Sequence, residues 1–202
     1  MNPPDWFEHD VSRETLSALA HYSDLIRQWT KKINLVAPST LPHLETRHIW
    51  DSAQIYTPAS GKWVDIGSGG GLPGIVIAIM RKGDGVEGET VLIESDQRKC
   101  AFLRTCKREL DLDINIMASR IEAAGPQNAD ILSARALANL SDLLSHAERH
   151  MNPEGRCIFQ KGAAWREEID AAQAKWRFSY DAFASKTNPE AATLVIRDIQ
   201  RV

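Results

Sequence analysis

The chain is poor in cysteine, has no long apolar run and carries no excess of positive charge. Cys100, Cys106 and Cys157 are its three cysteines in 202 residues, too few and too irregularly spaced for a disulfide framework. No apolar stretch approaches the ~20 residues needed to cross a bilayer, so a helical membrane span is excluded. The opening Met1-Asn2-Pro3-Pro4-Asp5-Trp6-Phe7-Glu8 has no basic region followed by an apolar one. No secretory signal is read there, and the cytoplasm is the expected compartment. Lys and Arg number 24 against 27 Asp and Glu, a net charge of −3. That balance does not announce a nucleic-acid binder, although a local positive surface would suffice for one. Basic residues gather at Lys31-Lys32, Arg47-His48, Arg98-Lys99 with Arg104, Lys107 and Arg108, and Arg149-His150. Each cluster alone reads as a solvated helix face. His146 and His150 have metal-ligand spacing on an expected helix, but no third ligand accompanies them, so they too read as solvated and no metal is expected.

What is present is an ordinary globular composition, 43% hydrophobic and 25% charged. The first 60 residues read as a helical extension. Ser12 can cap a helix carrying Glu14 in its first turn, with Leu16, Leu19, Ile26 and Ile33 near helical spacing. A second helix is expected from near Pro42, with Leu44, His48, Ser52 and Ile55 on one face, stopped by Pro58 and Gly61. From residue 61 to 202 strands alternate with helices, which implies an α/β domain with a largely parallel sheet covered on both faces. Strands are expected at 63–66, 90–93, 113–117, 129–133 and 156–160, with helices at 96–110, 139–150 and 165–174. Two closing strands at 177–184 and 193–199 are expected to pair antiparallel across a short loop.

The most informative stretch is Val64-Asp65-Ile66-Gly67-Ser68-Gly69-Gly70-Gly71-Leu72-Pro73-Gly74. An apolar run, a glycine-rich turn and the apolar Ile75 to Met80 read as strand, tight loop and helix, the arrangement that seats a nucleotide-like cofactor at the end of a parallel sheet. Pro73 suits the first turn of the helix. Gly69 to Gly74 formally matches G-x-G-x-x-G, a weak signal for a dinucleotide. Against that match, the spacing begins earlier, as Asp65-x-Gly67-x-Gly69-x-Gly71, and an acidic residue in the strand is typical of S-adenosylmethionine sites. Glu94, at the end of the second strand, can accept from two adjacent ribose hydroxyls. After the third strand, Ser119-Arg120-Ile121-Glu122 occupies the loop expected over an adenine, where Ile121 can stack.

With these residues in place, the chain resembles the bacterial ribosomal RNA small-subunit methyltransferase G family, also called glucose-inhibited division protein B. The resemblance is carried by Arg47-His48-Ile49-Trp50-Asp51-Ser52, Val64 to Gly74, Glu94-Ser95, Lys99 to Arg104, Ser119 to Glu122, Ser133-Ala134-Arg135-Ala136-Leu137-Ala138 and Lys161-Gly162. It implies a Rossmann-like class I S-adenosylmethionine-dependent methyltransferase acting on N7 of one guanine in 16S ribosomal RNA of the small ribosomal subunit. It also implies that Gly67, Leu72, Ile121, Glu122 and Arg135 contact the cofactor, beside Gly69 and Glu94. Arg47, His48 and Lys161 are the expected RNA contacts, with His48 equally open to a packing role between the extension and the sheet. A monomer is expected. One departure stands out: Ala191-Ala192-Thr193 replaces the family's usual Arg-His-Leu, leaving Arg197 as the nearest substitute charge.

Guanine N7 has a lone pair and no proton, so its methylation needs no general base, and no catalytic residue is assigned. Alignment and electrostatics remain as the enzyme's work. Arg135 is the leading positioning residue, aimed at the cofactor's carboxylate or an RNA phosphate; the alternative is a structural arginine bonding loop carbonyls. Two other readings stay open, an NAD-dependent oxidoreductase and a non-catalytic RNA- or ribosome-binding assembly factor. The first lacks a visible Tyr-x-x-x-Lys pair.

Overall fold

A computed structural model describes residues 1–202. Ser12 caps the first helix, α1 (Arg13–Thr30), its side chain accepting from the Thr15 N–H. The expected second helix is instead a 3-10 segment (Pro38–His43), a π-helical turn (Glu45–Trp50) and a short α-helix, α2 (Asp51–Ala53). Pro42 lies inside the 3-10 segment and has no N–H for an α-helical ladder, which accounts for the irregular start. The expected face survives: Leu44, His48, Ser52 and Ile55 are all buried.

The sheet holds β1 (Trp63–Ile66), β2 (Thr90–Glu94), β3 (Asn115–Ala118), β4 (Ala129–Arg135), β5 (Met151–Lys161), β6 (Trp176–Ala184) and β7 (Ala192–Arg201). Their spatial order is β3-β2-β1-β4-β5-β7-β6, and only β7 runs against the rest. The crossovers run through α3 (Gly74–Gly83), α4 (Gln97–Glu109), α5 (Leu140–His150) and α6 (Trp165–Gln173). β1 and β2 are buried at every position, as a parallel strand between two helical layers must be. The chain reverses its order between β1 and β4, and a crevice at the carboxyl ends of strands on either side of such a point is where this architecture binds ligands.

Several strand ends differ from expectation: β3 starts at Asn115 rather than 113, β7 ends at Arg201 rather than 199, and β4 and β5 are longer. β4 continues two residues further, to Arg135, because it pairs with β5 up to Arg135 and Gln160. β5 begins at Met151, opposite Ala129, and a register shift before Arg156 absorbs Pro153 and Gly155. The N-terminal segment has no separate core. Leu19, Tyr22 and Ile26 of α1 share one apolar cluster with Ile75 and Ile79 of α3 and with Phe102 of α4.

Candidate active site

The glycine loop joins β1 to α3 and is held from three sides. Beneath it, Asp65 is fully buried; one carboxylate oxygen accepts from Ser133 Oγ at 2.8 Å and the other from the Gly74 N–H at 3.2 Å. Trp63 Nε1 donates to the same Ser133 Oγ at 2.9 Å, so β1, β4 and the start of α3 share one polar knot. Burial pushes the Asp65 carboxyl up to about 6, against the opposing pull of these hydrogen bonds. Glu94 holds the loop from β2, accepting the Gly69 N–H at 2.8 Å and the Asp96 N–H at 2.7 Å. From α1, the buried Tyr22 hydroxyl donates to the Gly70 carbonyl at 2.5 Å. Gly67 and Gly69 adopt φ of +63° and +57°, a region that disfavours side chains. A Cβ on Gly67 would also meet Leu137 Cδ1 at 2.4 Å.

Above this loop lies a cavity of about 570 Å³, bordered by Gly67, Glu94, Ile121, Glu122, Leu137 and His146, among others. Its size is that of a typical small-molecule site. The segment carrying Ile121 is pinned by the end of α5: His150 Nε2 bonds the Ile121 carbonyl at 3.0 Å, and Arg149 donates to the Ala124 carbonyl at 2.7 Å. His150 is fully buried, and burial lowers its pKa. The expected solvated face for His146 and His150 is therefore incorrect. Both turn inward, one to bound the cavity and one to brace its wall, because α5 packs its apolar stripe of Leu140, Leu143, Leu144 and Ala147 onto the sheet.

A second cavity, of about 200 Å³, is bordered by Arg47, His48, Asp51, Arg135, Gln160 and Lys161, with residues from the β6–β7 loop. Ala136 borders both cavities, in the left-handed region at φ +49°. Arg135 spans the back of the second cavity. It donates to His48 Nδ1 at 2.7 Å and to the carbonyls of Arg47 and His48 at 3.2 and 3.4 Å, and its Nε lies 3.5 Å from Asp51 Oδ2. Burial lowers its pKa, and the Asp51 carboxylate works against that shift. Because guanidinium only donates, His48 Nδ1 must accept, so its Nε2 carries the proton and donates to Thr40 Oγ1 at 2.7 Å. Burial, with Arg135 and Arg47 nearby, holds His48 down at about 4, so its ring is neutral at physiological pH. Asp51 also accepts from Gln160 Nε2 at 3.1 Å and from Thr187 Oγ1. Lys161 is buried, paired with Glu168 at 2.7 Å and donating to the Ala138 carbonyl at 2.7 Å. It braces the segment that divides the two cavities.

The expected residues thus separate into two groups. Gly67, Glu94, Ile121 and Glu122 come together around the larger cavity, while Gly69 supports it through Glu94. Leu72 does not face it; its side chain packs in the apolar cluster with Tyr22 and Ile75. Arg135 lies in the smaller cavity with Arg47, His48 and Lys161, and bonds backbone carbonyls there as the structural alternative described. Of these four only Arg47 is exposed. Sequence reasoning missed Asp51, Gln160 and Thr187, which are brought together from distant stretches, and it missed His146. For His146 a signal existed: its spacing from Leu143 and His150 puts it beside the buried stripe of α5.

Known proteins resemble this chain along most of its length. The family model described as rRNA small subunit methyltransferase G matches residues 15–192. A protein named Ribosomal RNA small subunit methyltransferase G from Ruegeria sp. (strain TM1040) is 48% identical over 197 residues, 96% of each chain. One of the same name from Gluconobacter oxydans (strain 621H) is 44% identical over 194 residues, covering 95% of this chain and 98% of that one. Among solved structures, M. jannaschii TYW2 in complex with AdoMet aligns with a TM-score of 0.57 at 12% identity, over 86% of this chain and 80% of that one. A SAM dependent methyltransferase from Aquifex aeolicus aligns at 0.56 and 13% identity, over 87% and 96%. These two likenesses establish the Rossmann-like methyltransferase fold. Matched along nearly its whole length by family model and relatives alike, the chain belongs to the rRNA small subunit methyltransferase G family.

Proposed function

We propose that this protein transfers a methyl group from S-adenosylmethionine to N7 of one guanine in 16S ribosomal RNA, acting as a cytoplasmic monomer on the small subunit or its RNA. Membership in a methyltransferase family sets aside the NAD-linked alternative, and the intact loop with its three-sided support argues against a non-catalytic relic. The observation that carries the reading is the pair of adjoining cavities meeting at Ala136.

The larger cavity fits the cofactor. Gly67 lets Leu137 pack against the backbone at its floor, Glu94 presents a carboxylate to a ribose diol, and Ile121 offers an apolar edge for an adenine. When bound, the cofactor supplies an electrophilic methyl on a sulfonium. In the smaller cavity no residue has a proton to remove, since N7 carries none. Arg135, locked by Asp51 and His48, gives that cavity a rigid back wall, and Arg47 at its mouth offers an exposed cation to an RNA phosphate. Rigid placement and exclusion of water are what such a reaction requires of the protein. Neutral His48 acts by positioning Arg135. Lys161, its charge matched by Glu168, positions the dividing segment. In this reading residues 1–60, the helical extension, complete the substrate cavity that residues 61–202 leave open, because Arg47, His48 and Asp51 all come from them.

The test is methyl transfer from labelled S-adenosylmethionine to small-subunit RNA or particles from cells lacking this protein, followed by identification of the product nucleoside. A single N7-methylguanine is expected. Methylation of another base, or none with cofactor bound, would refute the proposal.

A further inference from the structure

On the sheet face that carries the smaller cavity, a second groove of about 450 Å³ opens beside it, bordered by Tyr56, Arg156, Phe183, Lys186, Thr193 and Arg197 among others. Phe183 is 56% exposed, more than any other aromatic residue in the chain. It stands on the edge strand β6 with its ring open to solvent, free to meet a ligand. Its position relative to the smaller cavity is fixed by strand register. Gln160 of β5 pairs with Thr193 of β7, and Thr193 pairs with Phe183 of β6. Directly paired residues share a face of the sheet. The three therefore form one row across the strands, and Thr193 borders both the cavity and the groove. Two strand spacings put Phe183 ~10 Å from Gln160, a distance that a neighbouring nucleotide, splayed out of its stack, can bridge.

The charge of the groove also points to RNA. Arg197 is matched by Asp181 at 3.2 Å. Arg156 donates only to the Thr57 hydroxyl, at 3.1 Å, and Lys186 is exposed and forms no ion pair. Two positive charges thus remain uncompensated around an aromatic face, the combination that binds single-stranded nucleic acid by stacking a base and meeting its phosphates. The loop carrying Lys186 is anchored where it stands, since the Lys186 N–H donates to Gln54 Oε1 at 2.9 Å.

We infer that this groove holds a nucleotide flanking the methylated guanine, with Phe183 stacked on its base and Arg156 and Lys186 at its phosphates. The inference rests on the ribosomal RNA reading above and adds a second contact surface to it.

The experiment measures affinity for naked small-subunit RNA and for whole particles, together with the KM for RNA, in full-length F183A, F183L and F183W and in the double variant R156Q/K186Q. F183A and F183L are expected to weaken RNA binding about tenfold, the low end of a lost stacking contact, while F183W restores it. In R156Q/K186Q the slope of log affinity against log salt should flatten by about 1.4, two single-strand phosphate contacts. Cofactor affinity and melting temperature should stay at wild-type values in all of them. Wild-type RNA affinity in F183A, or in F183L, would overturn the inference, because an apolar filler would then serve as well as an aromatic ring. A loss confined to whole particles would also overturn it, assigning the groove to a ribosomal protein. If the wild-type protein methylates no RNA at all, the functional reading itself fails; indifferent groove variants of an active enzyme defeat only the groove.

Discussion

The two cavities that meet at Ala136 are built in different ways. The larger one is a product of backbone: Gly67 and Gly69 in left-handed conformations, and N–H groups of Gly69, Gly74 and Asp96 gathered onto two carboxylates. The smaller one is a product of side chains, Arg135, Asp51, His48 and Gln160, linked across three separate stretches of chain. A cofactor common to many enzymes can be held by a local loop that any sheet of this topology can present. A particular RNA site needs a surface assembled from parts that only the whole fold brings together. The two regions should accordingly fail in different ways when altered.

The largest effect is expected from Asp51→Ala. It leaves the buried Arg135 guanidinium without its carboxylate, and loss of one partner from such a pair typically costs about 3–5 kcal/mol. Chemical denaturation should show that loss, with cofactor affinity in the surviving folded fraction changed little. A second effect separates the regions by pH. The Asp65 carboxyl, held up at about 6, lies above the ~3.9 of an unfolded chain. Its contribution to stability is full below the unfolded value and is lost as the pH rises through about 6. Asp65→Asn has no such charge to bury. The stability difference between it and wild type should therefore move in the variant's favour by roughly 2–3 kcal/mol between pH 4 and pH 7, read from melting curves at each pH. A flat difference would show that the fold does not raise the Asp65 carboxyl above its unfolded value. The smallest of the three is Gly67→Ala, which forces a side chain into φ +63° against Leu137. Strain of this kind costs ~1–3 kcal/mol of folding stability, and the displacement of Leu137 in the cavity wall should lower cofactor affinity by calorimetry while RNA affinity holds.

The same contrast governs what could be read from the sequence. The bond that ties Gly69 to Glu94 spans 25 positions and was not legible, but the strand–loop–helix order, the antiparallel closing pair and the cap at Ser12 are local, so the residues that specify them lie close together in the chain. Spacing exposed them. The π-helical turn did not show, because its altered hydrogen bonding leaves the buried face of Leu44, His48 and Ser52 looking like that of an α-helix. Nor could the sequence show that Lys161 would be neutralised by Glu168, or that His150 would turn inward to hold the Ile121 carbonyl. Those outcomes depend on which neighbour the tertiary fold supplies. Arg135 is the sharpest case: it was legible as important, but its placement in the smaller cavity follows from the extra two residues of β4 and from partners 83 to 88 positions away.

The most direct test of this division of labour is Arg47→Glu, measured for cofactor affinity and for the KM of small-subunit RNA in the same preparation. If the smaller cavity receives the RNA and the larger one the cofactor, the KM for RNA rises about tenfold or more, as reversal of a phosphate-facing charge predicts, and cofactor affinity stays at the wild-type value. Parallel loss of both, or an unchanged KM for RNA, would contradict the two-cavity assignment.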